Sequence, residues 1–490
     1  MSTIRSQIDR GLKQAPGRRS GGLTAGWLVP VVMGIALLLG PAVSGAKAEP
    51  QDRRTVLAPT ERTTDDPRRI PRKPATGPAH RTVLRGGRVF DAATGSVRAG
   101  TVVIEGNTIT AVLPADATSW PADADVIDVT GKTVMPGLID MHVHLTYPDP
   151  DTPVDEHASE GSGVLRGERN LRTYLESGFT SVRDMNGVSN APYLLSEWSA
   201  ANAIPAPRVF TGGHIITGTG GHATERPVTP NHGPQFAWEV DGPDAWRAAV
   251  RKTFKEGASV IKIASHFSAQ EVAAAVDEAH LLGLKVACDC ETIYTAMAVQ
   301  AGVDTIEHPL PRTDETIVQM AKRKVGAIPT LQVYQNVFDE SGGYYGSTSR
   351  RFSMSAQANF DLFKKMKAAG VVMGVGTDTI GGAHRYVPAM YIAELKWFVK
   401  GGYTIPEALK AATMTNAKLL DMDDKLGSLE PGKLADVIVV DGKPDENLDD
   451  LQKVDLVIKD GRVWVRAGQV VVPRHIAVPL PKPAPPQDVR

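Results

Sequence analysis

Cysteine is almost absent from this sequence, because only Cys288 and Cys290 occur among its 490 residues. Two cysteines cannot supply the disulfide framework that holds small secreted domains together, so that class of protein is excluded. A surplus of charge of one sign is also missing, since 54 Lys and Arg residues stand against 55 Asp and Glu residues. That balance does not favour nucleic acid or an anionic membrane as a partner, and we expect a small-molecule substrate.

What the chain does have is length and an ordinary globular composition. Hydrophobic residues make up 42% and charged residues 22% of the sequence, as is usual for soluble domains. Its length suffices for a barrel of ~250 residues with a companion domain.

The order of the β-rich runs predicts an α/β fold with two parts. Short β-rich runs near both ends, in 81–135 and 425–475, predict one small β-sandwich built from both ends of the chain. Between them, in 136–424, β-rich runs alternate with helical patterns. Repeated βα units of this length favour a parallel (β/α)8 TIM barrel. Residues 476–490 form a Pro-rich tail.

The first 48 residues are expected to be an export signal. A basic region precedes a charge-free, largely apolar stretch from Ser20 to Gly45, and Ala46-Lys47-Ala48 offers a small-x-small cleavage pattern. The Arg18-Arg19 pair suggests the twin-arginine type of signal, and the alternative is an uncleaved membrane anchor. Residues 49–80 are polar and rich in Pro and Arg, which predicts a disordered linker. We therefore expect an exported protein, periplasmic or secreted.

Polar side chains at the ends of predicted barrel strands indicate a metal site. His142 and His144 are two positions apart on the first strand, so their side chains point the same way and can reach one metal ion. His308 and Asp378 each follow another β-rich run. Each residue alone is more often a hydrogen-bonded structural group. Together they lie where barrel enzymes carry their catalytic residues, at the carboxyl ends of strands.

These motifs resemble a known superfamily. The stretch from Pro136 to His144 resembles the signature of the amidohydrolase superfamily. Gly257 to Ile263, Ala301 to His308 and Gly376 to Asp378 resemble its imidazolonepropionase-like branch, which includes Xaa-Pro dipeptidases and ochratoxin-type amidases. The motif from Leu426 to Asp436 is typical of the superfamily as well. The resemblance spans about residues 81–465 and implies a metal-dependent hydrolase on a TIM barrel.

Carried over by position, the resemblance implies a ligand set. His142, His144 and Asp378 would hold the more buried of one or two divalent ions, expected to be Zn²⁺, and His308 would bind the other. Lys262 would be carbamylated and bridge the two ions, because a carbamate is an anionic ligand whereas an ammonium repels cations. The alternative for Lys262 is an ion-paired barrel lysine. Asp378 would also take a proton from the metal-activated water and pass it to the leaving nitrogen.

The fifth predicted strand departs from the branch, which usually has His-x-His there. Spacing back from His308 puts the expected metal-binding histidine at Cys288, and the second expected histidine at Cys290. Either a Cys288 thiolate replaces the imidazole as a Zn²⁺ ligand, or both cysteines are buried thiols and the second metal site is weakened or lost. A disulfide between residues two apart on one strand is expected to be strained.

Two further polar residues are candidates for contact with the substrate. His222 follows the third predicted strand, and Tyr334 lies on the segment assigned to the seventh. The predicted function is hydrolysis of an amide or peptide-like C–N bond in a dipeptide or N-acyl amino acid. The alternatives are a deaminase, a cyclic amide or lactone hydrolase, and a non-catalytic binding protein with a degraded second metal site. A homo-oligomer is possible.

Overall fold

The structure is a computed structural model that describes residues 80–149, 159–224, 234–341, 354–380 and 382–471. The predicted export signal and Pro-rich tail lie outside these residues, as does the predicted linker except for His80. Within the described residues, no helix is both long and apolar enough to cross a membrane.

Nineteen strands are present in the described part of the chain, numbered in chain order. They are β1 (Arg81–Phe90), β2 (Val97–Glu105), β3 (Thr108–Pro114), β4 (Asp125–Asp128), β5 (Thr133–Pro136), β6 (Leu138–His144), β7 (Phe179–Asp184), β8 (Arg208–Thr211), β9 (Ile215–Thr217), β10 (Ala237–Glu239), β11 (Val260–Ala264), β12 (Lys285–Asp289), β13 (Thr305–Glu307), β14 (Gly326–Ile328), β15 (Thr379–Ile380), β16 (Val437–Val440), β17 (Val454–Lys459), β18 (Arg462–Arg466) and β19 (Gln469–Val470).

Most of the described helices lie between the strands of the central region. The α-helices are Glu160–Glu176, Ala191–Ala200, Pro243–Glu256, Ala269–Leu281, Thr292–Ala301, Asp314–Arg323, Leu331–Ser341, Ala356–Ala368, Ala383–Tyr386, Ala389–Lys400, Ile405–Lys410 and Asn416–Leu419. A π-helical turn spans Ala411–Thr415 and a 3-10 helix spans Leu448–Gln452. The local sequence explains where several of these helices begin. Ser268, for example, accepts from the backbone of Glu271, and Glu271 accepts in return, a capping box that ties down two otherwise unsatisfied donors.

The two ends of the described chain share one nine-stranded sheet. Its order is β19-β18-β17-β16-β5-β1-β2-β3, with β4 paired to β1. The junction is the antiparallel pair of β16 and β5, in which Val437 lies opposite Pro136. Leu84, Val134 and Ile458 belong to one buried apolar cluster on this sheet. Burial of that cluster explains why segments more than 300 residues apart associate.

The central region contains two parallel sheets that position the site. Their orders are β15-β6-β7-β8 and β10-β9-β11-β12-β13-β14. Backbone hydrogen bonds connect them at both sides. Ser259 donates to Thr211 at 2.9 Å beside β8, and Met141 of β6 donates to Val375 at 3.0 Å. The segment containing Val375 also bridges to β14 through Met373. Since the strands are parallel, their carboxyl ends lie at one edge, where the polar residues of the site collect.

Candidate metal centre

Three side chains from adjacent strand ends converge on one point. His142 and His144 belong to β6, which is buried throughout, and Asp378 directly precedes β15, the strand paired with β6. Asp378 Oδ1 lies 3.2 Å from His144 Nε2 and 3.6 Å from His142 Nε2. One ligand atom from each residue lies within 4.8 Å of the other two. Two imidazoles and a carboxylate at this spacing suit a divalent metal ion.

Hydrogen bonds orient both imidazoles. His142 Nδ1 lies 2.8 Å from a carboxylate oxygen of Glu307, and His144 Nδ1 lies 2.9 Å from the carbonyl oxygen of Asn186. A carbonyl or carboxylate accepts hydrogen bonds, so each Nδ1 donates and each Nε2 keeps its lone pair. Burial lowers the pKa of both histidines below the ordinary value. The rings are therefore neutral at pH 7, as metal binding requires.

A buried ion pair fixes the carboxylate that orients His142. Arg183 Nη2 donates to both oxygens of Glu307 at 2.8 Å, and the Thr305 hydroxyl donates to Glu307 at 2.7 Å. Arg183 and Glu307 are almost completely buried. Arg183 also donates from Nε to the carbonyl oxygen of Met141, next to His142. The pair thus ties the strand that carries His142 to β13.

The loop at Asp378 is held in an unusual conformation. Asp378 has φ of 54°, which is uncommon for a residue other than glycine. Its backbone N–H donates to the carbonyl oxygen of His142 at 2.7 Å. The neighbouring Thr377 donates from its hydroxyl to Asp140 of β6 at 2.7 Å. These bonds direct the Asp378 carboxylate toward the two imidazoles. Burial alone raises the pKa of Asp378, but the nearby His308 and His144 hold it below its usual value.

Lys262 and His308 lie beside this group of three. Lys262, on β11, is buried, and its Nζ is 3.5 Å from His142 Nε2. His308 directly follows β13, with its ring centroid 4.6 Å from that of His142 and its Nδ1 3.7 Å from Asp378 Oδ2. The structure therefore brings together the five His, Lys and Asp residues that the sequence predicted as metal ligands, namely His142, His144, Lys262, His308 and Asp378.

Asp289, at the end of β12, also points into this cluster. Its Oδ2 lies 3.2 Å from Lys262 Nζ and 3.2 Å from His308 Nε2. The same oxygen is 3.6 Å from His222 Nε2. Sequence patterns missed Asp289, although its position between the two cysteines of the atypical fifth strand was a usable signal.

Residues 133–464, more than half of the chain, match the amidohydrolase family. The chain belongs to that family. Among curated relatives, imidazolonepropionase from Alkaliphilus metalliredigens (strain QYMF) is 25% identical over 413 residues, covering 76% of this chain and 92% of that protein. A solved prolidase in complex with N-methylphosphonate-L-proline shares 30% identity at a TM-score of 0.71, covering 79% of this chain and 100% of its own. A solved Xaa-Pro dipeptidase with bound methionine shares 29% identity, with the same TM-score and coverage.

These comparisons confirm the superfamily that the sequence motifs predicted. This amidohydrolase is accordingly a metal-dependent enzyme that hydrolyses C–N bonds. The alternative of a non-catalytic binding protein is not supported, since the His-His-Asp group of the family is intact in the structure.

The two alternatives for the cysteines, a Cys288 thiolate ligand or a pair of free buried thiols, are both wrong in this structure. Cys288 and Cys290 are joined by a disulfide, and the described residues include no free cysteine. Cys288 packs with Ile263 in the apolar core, on the opposite face of β12 from Asp289. The predicted ligand position on β12 was wrong by one residue. Neighbouring residues on a strand face opposite sides of the sheet, so this shift exchanges a side chain at the centre for one in the core.

The expectation of a strained bridge stays a prediction. β12 ends at Asp289, before Cys290. The two Cα atoms are 5.4 Å apart, which is within the usual range for bridged cysteines.

Both residues nominated for substrate contact lie near the centre. His222 is partly exposed beside Asp289. Tyr334 is buried, with its ring 5.5 Å from that of His308. Tyr334 belongs to the helix Leu331–Ser341, whereas sequence patterns placed it on the seventh strand. The strand there, β14, is only three residues long and ends at Ile328.

Proposed function

We propose that this amidohydrolase cleaves the amide or peptide bond of a small substrate, a dipeptide or an N-acyl amino acid. The observation that carries the proposal is the convergence of His142, His144 and Asp378 with Lys262 and His308 at one strand edge. The solved prolidase and Xaa-Pro dipeptidase, which match over their full lengths, support the choice of a peptide-like substrate.

The charges of the site favour a carbamate on Lys262. Lys262 Nζ is 3.5 Å from His142 Nε2, the nitrogen whose lone pair would bind a metal ion. An ammonium at that distance repels a dication bound to the same nitrogen, and burial strengthens the repulsion. A carbamate carries negative charge and two oxygen donors, so it would bind the ions instead. Zn²⁺ is the expected metal, because imidazole and carboxylate are its usual ligands.

The bound metal would supply Lewis acidity, which polarises the scissile carbonyl and lowers the pKa of water. Asp378 accepts a proton from the attacking water and transfers it to the leaving nitrogen. Its pKa lies below the usual value, so the carboxylate is ionised at neutral pH. His222 and Tyr334, at the edge of the centre, contact the substrate.

For the fold, we propose that the two parallel sheets close into a (β/α)8 barrel and that the nine-stranded sheet forms the companion β-sandwich. The bonds from Ser259 to Thr211 and from Met141 to Val375 support closure, because they link the sheets on both sides. The metal centre would then lie at the carboxyl-terminal mouth of the barrel.

A second candidate is hydrolytic opening of a cyclic amide. It is favoured by the curated relatives, which are imidazolonepropionases at 25–26% identity over about three quarters of this chain. The same metal-activated water would serve either substrate, so the fold does not choose between them.

A substrate panel tests the proposal. Purified protein is incubated with dipeptides, including Xaa-Pro, with N-acyl amino acids and with cyclic amides, and released products are measured by mass spectrometry. We expect hydrolysis of a dipeptide or N-acyl amino acid that Asp378→Asn abolishes. His280→Gln is the matched histidine control, because His280 pairs with Asp304 at the amino-terminal edge of β13, remote from the centre. Cleavage of cyclic amides alone would favour the second candidate, and equal activity in Asp378→Asn would refute the assignment.

We also propose export, on the strength of the basic and apolar segments before Ala48. The amino-terminal sequence of protein recovered from outside the cytoplasm should begin just after Ala48. Full-length protein in the membrane fraction would instead support the uncleaved anchor.

A further inference from the structure

We propose that Asp289 is a metal ligand of this amidohydrolase and that it completes the second metal site together with His308 and Lys262. The inference rests on the proposed metal-dependent function and deepens it. It assigns the ligand on β12 to a carboxylate oxygen of Asp289, whereas sequence patterns expected a histidine or a thiolate one residue earlier, at Cys288.

Strand register places Asp289 on the metal side. In the parallel pair of β11 and β12, Lys262 lies opposite Ala287 and Ala264 lies opposite Asp289. Side chains on a strand alternate, so Lys262, Ala287 and Asp289 share one face, while Cys288 faces the other. Ala287 packs against Met185 and Val260 on that shared face. Asp289 is the last residue of its strand. It therefore lies at the carboxyl edge of the sheet, where the metal centre is.

Contacts of one oxygen show what the carboxylate faces. Asp289 Oδ2 lies 3.2 Å from both Lys262 Nζ and His308 Nε2, and 3.6 Å from His222 Nε2. Asp289, Lys262 and His308 are each 2% exposed or less. His308 Nδ1 is 2.9 Å from the Thr330 hydroxyl, and His308 Nε2 is 3.2 Å from Asp289 Oδ2. A metal ion on Nε2 would take the place of the proton shared by these two groups and would lie beside the carboxylate.

Charge balance explains why a second cation is required. With Lys262 as an ammonium, Asp289 and Lys262 neutralise each other across 3.2 Å. Carbamylation changes Lys262 from a cation to an anion, and two buried anions then face each other. With Asp378 they bring the anions of the centre to three, one more than a single dication bound by His142, His144 and Asp378 neutralises, and a buried charge left uncompensated is costly. A divalent ion bound by the carbamate, Asp289 and His308 removes the repulsion, so carbamylation and binding of the second metal should occur together.

The ligand type has a measurable consequence. An oxygen donor in place of a nitrogen or sulfur donor makes a site harder and raises its relative preference for Mn²⁺. The second site is therefore expected to accept Mn²⁺ more readily than a site with histidine at this position.

Metal counting tests the inference without any substrate. The test uses four proteins: wild type, Asp289→Asn, Asp289→His and Glu291→Gln. Each is loaded with Zn²⁺ or Mn²⁺ in ¹³C-bicarbonate and freed of unbound metal, and its bound metal is then measured by mass spectrometry. Carbamate is measured by ¹³C NMR. Glu291 is the matched control, since it is a buried carboxylate two residues further on that accepts from Ser265 at 2.8 Å.

We expect about two metal equivalents and a carbamate signal in wild type and in Glu291→Gln. Asp289→Asn should fall to about one equivalent and lose the carbamate. Asp289→His should recover the second Zn²⁺ equivalent with a lower share of Mn²⁺, which also shows that position 289 tolerates substitution.

Two equivalents in Asp289→Asn would overturn the inference while leaving the proposed function in place. One equivalent without carbamate in both wild type and Asp289→Asn would also overturn it, and would make Asp289 the ion-pair partner of an unmodified Lys262. A wild type that binds no metal would instead refute the proposed function.

Discussion

The buried pair of Arg183 and Glu307 is expected to support the fold and the metal centre at once, and separate replacement of each partner measures both contributions. Arg183→Met removes the guanidinium and leaves Glu307 charged in a site where both side chains are 3% exposed or less. Glu307→Gln leaves Arg183 unpaired. Breaking a buried ion pair by removing one partner costs about 3–5 kcal/mol in the free energy of unfolding. Urea unfolding of metal-free protein measures this loss as a lower midpoint.

The effect on metal binding should separate the two variants. Glu307 accepts from His142 Nδ1 at 2.8 Å, so its replacement also loosens the orientation of that ring. Loss of such a partner weakens metal affinity about 10–100-fold. Glu307→Gln is therefore expected to lose more metal affinity than Arg183→Met, measured by competition with a chromophoric chelator.

The double variant tests whether the two residues act as a pair. Arg183→Met with Glu307→Gln leaves no unpaired charge, so its stability loss should be smaller than the sum of the single losses by about 1–3 kcal/mol. Strict additivity, or single losses below about 1 kcal/mol, would refute the coupling inferred from the two 2.8 Å contacts.

Three further predictions follow from individual residues. Asp378→Asn keeps an oxygen toward the metal but removes the proton acceptor, so kcat should fall at least ~100-fold with little change in KM; an unchanged kcat would identify another base. Lys262→Arg keeps the positive charge but cannot form a bridging carbamate, so metal content and turnover should be lost. High bicarbonate should not restore them, and full activity of this variant would exclude the carbamate. Gly137→Ala would place a Cβ 2.1 Å from Thr180 Oγ1 and should cost about 1–3 kcal/mol of stability. Gly161→Ala, with open space in the first turn of the helix Glu160–Glu176, should cost no stability, because alanine is the better helix former. Equal urea midpoints for the two variants would contradict the packing.

Much of the centre was predictable because it depends on local periodicity. His142 and His144 follow the two-residue repeat of a strand, and they lie on β6 as expected. The helix Ala269–Leu281 likewise begins where a local capping box of Ser268 and Glu271 places it. The strand runs at the two ends of the chain share one sheet, which apolar patterning of both segments had indicated.

Other features of the centre could not be predicted, because they depend on residues far apart in sequence whose alignment local patterns do not determine. Counting back from His308 to β12 crosses a helix and two loops, and an error of one residue exchanged Asp289 for Cys288. Tyr334 was assigned to a strand because nothing local shows that β14 ends at Ile328. Arg183 and Glu307 are 124 residues apart in sequence, and only the tertiary structure shows that they pair.

Metal removal tests the central claim most directly. The substrate hydrolysed fastest in the panel is followed before and after exhaustive dialysis against a chelator, and again after stepwise addition of Zn²⁺ or Mn²⁺ with bicarbonate. We predict that activity disappears with the metal, that it returns in proportion to the metal bound, and that His144→Ala, which lacks one of the three converging ligands, does not regain it under the same conditions. Metal-free protein that hydrolyses the substrate at the original rate would contradict the account.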